Sequence, residues 1–147
     1  MPNATELKFG DPETRIAQTE SWTVLLRPKQ PTLGSLVLVC REPVQAFSDL
    51  SAGAFTDLSQ VVQGVERMLR QVVDYERINY LMLMMVDPDV HFHVIPRYST
   101  ARRFADVEFP DTSWPGPPAL EPAVVPAIDA RAALLARLRA AWVGSAT

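Results

Sequence analysis

Two histidines separated by one residue, His91 and His93, are the side chains whose type and spacing could carry out a reaction. They are the sequence's two histidines, in a chain of 147 residues. In a β-strand, side chains two positions apart point to the same face. Asp89, His91 and His93 would therefore share one face, and the apolar residues between them would share the other. With the apolar face towards the core, both imidazoles and the carboxylate lie where a ligand can reach them.

This spacing is compatible with three interpretations. The histidines could be a surface or partly buried pair without chemistry. Together with Asp89 they could form a metal site, because two histidines on one strand face plus a carboxylate are a known ligand set. They could also form a nucleophilic centre, in which one imidazole attacks and its neighbour handles charge and protons. The spacing alone leaves all three open.

The elements that position this face are predicted by hydrophobic periodicity. Three runs rich in apolar and β-branched residues are typical of strands: Arg15–Gln18, Trp22–Arg27 and Ser35–Cys40. The last of them is nearly all apolar and is expected to be buried on both faces. Apolar residues at spacings of three and four then predict one long helix, with Ser51 as its N-cap and its end near Tyr75.

Two further strands are predicted at Ile78–Val86 and Val90–Pro96. Only Asp87-Pro88-Asp89 separates them, and these residue types favour a tight turn, so the strands should form an antiparallel hairpin. With the preceding helix, this predicts an α+β fold with an antiparallel sheet of about five strands. Within the hairpin, Met82–Met85 is expected to be a central strand or a dimer seam.

The C-terminal part of the sequence has a different character. Six prolines in residues 109–126 predict an extended segment. A last helix is expected over Ile128–Trp142, with one face formed by Ile128, Arg131, Leu135, Leu138 and Trp142. We therefore expect a main domain over 1–108 and an extension over 109–147, which wraps over the domain or over a partner subunit.

The composition limits the function classes. The net charge is −3, with 48% hydrophobic and 21% charged residues, and no basic run indicates a surface for nucleic acid or an anionic membrane. The single cysteine, Cys40, excludes an intramolecular disulfide framework and a multi-cysteine zinc site. The sequence has no signal-peptide pattern and no apolar run of the roughly 20 residues that span a bilayer. We expect a soluble, cytoplasmic protein.

The string DVHFHVIPR, residues 89–97, resembles the signature of the histidine triad (HIT) family, in which three histidines alternate with apolar residues on a strand. It is most similar to the dinucleoside-polyphosphate hydrolase (fragile histidine triad-like) branch, where proline and arginine follow the last histidine and two apolar residues. Asp89 stands where the family has its first histidine. Roughly residues 7–98 follow the family's order of elements, and the C-terminal extension is not covered.

The resemblance implies a HIT-like homodimer that hydrolyses or transfers the nucleotidyl group of a nucleotide conjugate. His91 would be the nucleophile, with its Nε2 attacking the α-phosphorus to give a nucleotidyl-imidazole. The carbonyl of His93 would hold the Nδ1–H of His91, and the His93 side chain would donate to a phosphate oxygen or assist the leaving group. Dinucleoside polyphosphates, nucleoside phosphoramidates and nucleotidyl sugars are the candidate substrates. No metal is required for the attack, although Mg²⁺ could accompany a polyphosphate.

Four further residues match substrate-binding positions of the family, and each has an alternative interpretation. Phe9 and Leu25 match positions that line the base pocket but could equally be core residues. Arg27 matches a nucleotide-contacting position but could be a solvated arginine at a strand end. Arg97 could bind substrate or be structural.

Two departures from the family pattern keep other functions open. Asp89 either braces an imidazole from behind or is a turn residue. The Asp87-Pro88 turn leaves no room for the longer loop with glycine and glutamine that supplies phosphate donors in relatives. The alternatives are therefore a nucleotide-binding or sensing protein with reduced catalysis, and a metal site formed by Asp89, His91 and His93.

Overall fold

A computed structural model describes residues 2–145, which form three helices, seven strands and one short 3₁₀ turn. The helices are α1 (Ala4–Lys8), α2 (Ala52–Val72) and α3 (Ile128–Ser145), and the 3₁₀ turn is Phe47–Asp49. The strands are β1 (Arg15–Gln18), β2 (Trp22–Leu26), β3 (Leu36–Cys40), β4 (Arg77–Leu81), β5 (His91–Arg97), β6 (Arg102–Phe104) and β7 (Val107–Phe109). Within residues 2–145, no helix combines the length and apolar character needed to cross a bilayer.

Five of the strands form one antiparallel sheet in the order β1-β2-β3-β5-β4, and β6 and β7 form a separate hairpin. The predicted α+β architecture is thereby confirmed. Strand β5 lies between two neighbours, with His93 opposite Val37 of β3 and Leu81 of β4, and His91 opposite Val39. Because backbone pairing fixes this strand on both sides, the direction of its side chains is set by the sheet.

Helix α2 covers one face of the sheet. The predicted N-cap is confirmed, since the Ser51 side chain accepts a hydrogen bond from the backbone N–H of Ala54. The helix buries a stripe of small and apolar residues at helical spacing: Ala54, Val61, Gly64, Val65, Met68 and Leu69. Its last residue is Val72, three positions before the predicted end.

Strand β3 carries apolar side chains on both faces, as predicted. All five of its residues are buried, and they divide between two clusters. Leu36, Leu38 and Cys40 belong to the large core beneath α2. Val37 and Val39 join Phe9 and Leu25 in a small cluster on the opposite face.

The predicted tight turn between the last two sheet strands is wrong. Strands β4 and β5 are antiparallel, but β4 ends at Leu81, so residues 82–90 form a nine-residue loop. Met84 has a positive φ of 52°, a backbone conformation that a continuing strand excludes. The prediction that Met82–Met85 is a central strand is therefore wrong, because these residues belong to the loop. Strand β4 itself lies at the edge of the sheet.

The C-terminal part of the chain packs onto the rest of the molecule. Residues 110–127 contain no helix, as expected, and an isolated bridge pairs Val124 with Gln30. Helix α3 packs against α2, where the Trp142 ring lies against Gly64. The predicted face is wrong at Ile128, which is 77% exposed; over positions 128–142 the buried residues are Leu134, Leu135, Leu138 and Ala141.

Candidate active site

A cavity of about 400 Å³ opens on the face of the sheet opposite α2, and both histidines line it. The strand periodicity predicted that both histidines face away from the large core. Val90 and Val94, which point to the other side of the strand, pack into that core. The walls come from α1, the end of β2, the loop 82–90 and the proline-rich segment. The lining residues are Lys8, Phe9, Arg27, Pro28, Lys29, Leu83, Met85, Val86, Asp87, His91, His93, Leu120 and Glu121.

The His91 ring is held by a backbone carbonyl. Its Nδ1 lies 2.7 Å from the carbonyl oxygen of Asp89, and the ring is almost fully buried. Since a carbonyl can only accept, Nδ1 carries the hydrogen, and in the neutral ring the lone pair is on Nε2. The expectation that His93 supplies this carbonyl is wrong, because the ring leans back along the strand to the residue two positions earlier.

The His93 ring stands edge-on to its neighbour. The two imidazole centroids are 5.2 Å apart with planes at 79°, and the Phe9 ring lies 5.8 Å from His93. Its buried Nδ1 has no hydrogen-bond partner among the described residues. Burial, and next the charges of Arg27 and His91, lower the pKa of His93 from 6.5 to about 4. His93 is therefore neutral at physiological pH and can donate from one nitrogen only.

Asp89 turns its carboxylate away from the cavity. Oδ2 accepts hydrogen bonds from the backbone N of Thr5 at 3.1 Å and from its Oγ1 at 2.9 Å. The carboxylate therefore braces neither imidazole; it fixes α1, while the Asp89 carbonyl orients His91. No group of three or more His, Cys, Asp or Glu within residues 2–145 is placed to hold a metal ion. The proposed metal site of Asp89, His91 and His93 is thus not assembled.

Arg27 lines the cavity with unused hydrogen-bonding capacity. Its Nη1 donates to the carbonyl of Lys29 at 2.8 Å, whereas its buried Nε has no partner within residues 2–145. Burial lowers its pKa, partly offset by the charge of Glu121. A buried guanidinium N–H without a partner is costly, and a phosphate oxygen would satisfy it.

Phe9 and Leu25 have different positions relative to the cavity. Phe9 lines it at the end of α1, held by the Thr14 hydroxyl, which donates to the Phe9 carbonyl at 2.7 Å. Leu25 has no exposed surface and lies beneath, in the small cluster with Phe9. It supports the cavity floor and does not line the cavity.

Comparison with known proteins decides the family. Residues 10–100 match the family model described as the HIT domain, which is more than half of the chain. The chain belongs to the HIT family. Proteins of this family bind nucleotides and are usually nucleotide hydrolases or transferases. No curated protein matches this sequence at a significant level.

Solved structures share the HIT fold at low sequence identity. A histidine triad protein from Bradyrhizobium japonicum is 18% identical, with a TM-score of 0.72 over 95% of this chain and 96% of that one. A histidine triad protein from Sinorhizobium meliloti is 20% identical, with a TM-score of 0.72 over 94% and 93%. A hypothetical histidine triad nucleotide-binding protein from Sulfolobus tokodaii is 15% identical, with a TM-score of 0.66 over 89% and 84%.

Arg97 lies outside the cavity of this HIT protein. Its guanidinium pairs with the buried carboxylate of Asp111, with Nε 2.7 Å from Oδ2, and donates to Asn79, Ser113 and the carbonyl of Gly116. These bonds fasten the segment after β7 to the far end of β5. The prediction that Arg97 binds substrate is wrong. These contacts support the alternative interpretation, in which Arg97 is a structural residue.

Sequence reasoning missed several walls of the HIT cavity. The loop 82–90 does exist, contrary to the expectation that Asp87-Pro88 leaves no room for one. It contributes Leu83, Met85, Val86 and Asp87. The proline-rich segment adds Leu120 and Glu121, and two lysines stand at the rim. The apolar residues before Asp87-Pro88-Asp89 favoured a strand that continues to a tight turn, so the longer loop was not predicted, and α1 was too short to show a period.

Proposed function

We propose that this protein hydrolyses or transfers the nucleotidyl group of a nucleotide conjugate through a nucleotidyl-His91 intermediate. The observation that carries the proposal is the 2.7 Å contact of His91 Nδ1 with the Asp89 carbonyl. It leaves the lone pair on Nε2, on the far side of a ring that lines the cavity. Membership of the HIT family supports the reaction class.

The proposed reaction has two displacements at one phosphorus. The lone pair of His91 Nε2 forms a bond to the α-phosphorus, and the bond to the leaving group breaks with its electron pair. The imidazole becomes cationic, and the Asp89 carbonyl stabilises the charge through Nδ1–H. Water or another acceptor then attacks the same phosphorus, loses a proton and returns the electron pair to Nε2. The attack itself uses only the imidazole lone pair and no metal.

Two neighbouring side chains have binding roles in this proposal. His93, whose pKa burial lowers to about 4, donates one hydrogen bond from its neutral ring to a non-bridging phosphate oxygen. Arg27 pairs with the phosphoryl charge through its free Nε–H. Phe9 supplies an aromatic surface for the base or sugar.

A panel of adenylated and guanylated conjugates tests the proposal. Wild type, His91→Ala and His93→Gln are assayed in parallel for release of the nucleotide. We expect His91→Ala to lose at least about 1,000-fold in kcat, as loss of a nucleophile does, and His93→Gln to lose much less. Equal turnover by wild type and His91→Ala would refute the assignment.

A nucleotide-binding or sensing role is the second candidate. The loop 82–90 has no glycine or glutamine, and three of the four side chains that it presents to the cavity are apolar. A loop of this kind offers few donors to a phosphate in the transition state. Tight nucleotide binding without turnover or a covalent adduct would favour this candidate over catalysis.

We also propose that the protein forms a homodimer through the face that carries α2 and the edge strand β4. An apolar groove of about 180 Å³ lies there, lined by Leu38, Leu58, Val62, Tyr80 and Phe92. Beside it, Phe47 and Phe55 are each 44% exposed, with ring centroids 5.6 Å apart. A strand edge that no other described strand covers, next to exposed aromatic rings, suits a self-complementary interface.

A further inference from the structure

We propose that Asp87 and Glu121 are specificity-determining residues, which favour conjugates with a single ionised phosphate over polyphosphates. This inference rests on the proposed function. It concerns which nucleotide conjugates enter the cavity and leaves the attacking group unchanged. The support is the pairing of charges at the rim, together with the position of Arg27, a cavity cation that makes no ion pair with a described residue.

The cavity is lined by three cationic and two anionic side chains. Lys8 Nζ lies 2.6 Å from Asp87 Oδ1, and Lys29 Nζ lies 3.7 Å from Glu121 Oε1. Arg27 is the cavity cation that makes no ion pair with a described residue. The excess is therefore one positive charge, located on the guanidinium whose Nε lacks a partner.

His93 adds no positive charge to this balance. Its position against Phe9 and its burial keep it in the neutral form, consistent with the lowered pKa of about 4. A phosphate esterified or amidated on two sides carries one negative charge, which matches the excess on Arg27. Each further phosphate adds negative charge that meets the carboxylate of Asp87 or Glu121.

The two carboxylates act on a polyphosphate in two ways. Each one repels the added charge directly, and each one competes for the lysine that would otherwise bind it. Both pairs are partly solvated, since the lysine side chains are 50% and 62% exposed, so each effect is modest. Removing one carboxylate charge should strengthen polyphosphate binding by about 3- to 5-fold, and removing both by about 10-fold or more.

The chemistry therefore points away from the polyphosphate branch that the string DVHFHVIPR resembles. That string lies on β5, whereas the charges at issue come from the loop 82–90 and the proline-rich segment. Residues 120–121 lie beyond the range that matches the HIT domain. Substrate choice can thus differ from the motif on the strand.

Calorimetric titration with ATP and with AMP methyl ester, a phosphodiester that carries one negative charge, tests the inference, using wild type, Asp87→Asn, Glu121→Gln and the double variant. Glu108→Gln is the matched control, because Glu108 pairs with Arg103 at 3.6 Å on the separate β6–β7 hairpin and is as exposed as Glu121. We expect wild type to bind ATP no more tightly than AMP methyl ester. The ratio of ATP affinity to AMP methyl ester affinity should rise about 10-fold in the double variant and stay unchanged in Glu108→Gln.

Two results would overturn the inference: ATP binding to wild type at least about ten times tighter than AMP methyl ester, or an unchanged affinity ratio in the double variant. A wild type that binds neither nucleotide refutes the proposed function and this inference together. Turnover that survives His91→Ala refutes the proposed function alone, since the affinity ratio does not depend on the nucleophile. The Glu121 side chain is 68% exposed and that of Asp87 is 14% exposed, and thermal unfolding of each variant verifies that it is folded.

Discussion

The Asp89 carboxylate holds Thr5, 84 residues earlier in the chain, through two hydrogen bonds of 3.1 and 2.9 Å from its backbone N and Oγ1. Thr5 belongs to α1, which delivers Lys8 and Phe9 to the cavity. The Asp89 carbonyl at the same time accepts the hydrogen of His91 Nδ1. One residue thus connects the N-terminal helix to the orientation of the proposed nucleophile.

Replacing Asp89 separates the role of its side chain from that of its carbonyl. Asp89→Ala leaves the buried Thr5 N–H and hydroxyl without an acceptor, which should lower the free energy of unfolding by about 1–3 kcal/mol. It should also raise KM about 10-fold, because α1, which carries Lys8 and leads into Phe9, loses its contact with Asp89, and change kcat less. Denaturant unfolding and steady-state kinetics measure the two effects.

Asp89→Asn is the control for this effect, because an amide oxygen can accept both hydrogen bonds. It should restore KM to within about 3-fold of wild type. Equal behaviour of the alanine and asparagine variants would contradict the role given to the Thr5 contact.

His93 should make stability depend on pH in a defined window. Its folded-state pKa of about 4 is below its ordinary value of 6.5, so the unfolded chain takes up the proton first as the pH falls. The free energy of unfolding should therefore fall as the pH goes from 6.5 to 4, and this component should vanish in His93→Gln. An NMR titration in which the His93 ring protonates near pH 6.5 would contradict this prediction.

The two arginines assigned to the substrate from sequence should behave differently when shortened. Arg27→Met should weaken AMP binding by about 10-fold or more with little loss of stability, because its Nε has no partner among the described residues. Arg97→Met should leave the Asp111 carboxylate buried without its ion-pair partner and lower the free energy of unfolding by about 3–5 kcal/mol. Calorimetry and denaturant unfolding of both variants check this, and the reverse pattern would refute it.

A charge on the exposed aromatic patch should prevent association. Phe55→Glu places a carboxylate beside Phe47 on the proposed dimer face, and light scattering should detect a monomer where wild type is a dimer. Glu108→Gln again serves as a control away from this face. A wild type that remains monomeric at the highest soluble concentration would refute the interface.

The features of the site that follow a regular strand or helix periodicity could be predicted from the sequence. Alternation along β5 placed His91 and His93 on one face, and the three-to-four spacing with its Ser51 cap predicted α2. Both signals are local, because each depends only on the geometry of one element.

What depended on contacts between distant segments could not be predicted. Met82–Met85 has the composition of a strand. Its loop conformation is visible only in the structure, from the positive φ of Met84 and from the cavity wall that Leu83 and Met85 form. Arg97 follows the family pattern, but its guanidinium pairs with the carboxylate of Asp111, 14 positions later in the chain. The role of the Asp89 carboxylate likewise depends on its hydrogen bonds from Thr5, which lies 84 positions earlier in the chain.

Covalent trapping tests the central claim most directly. Wild type is mixed with an adenylated conjugate whose intermediate breaks down slowly, quenched under denaturing conditions that preserve a phosphorus–nitrogen bond, and examined by mass spectrometry of the intact chain and of its peptides. The account predicts one adenylyl group per chain, located on His91 and absent from His91→Ala. An adduct on His93, or turnover of the same conjugate without any adduct on His91, would contradict it.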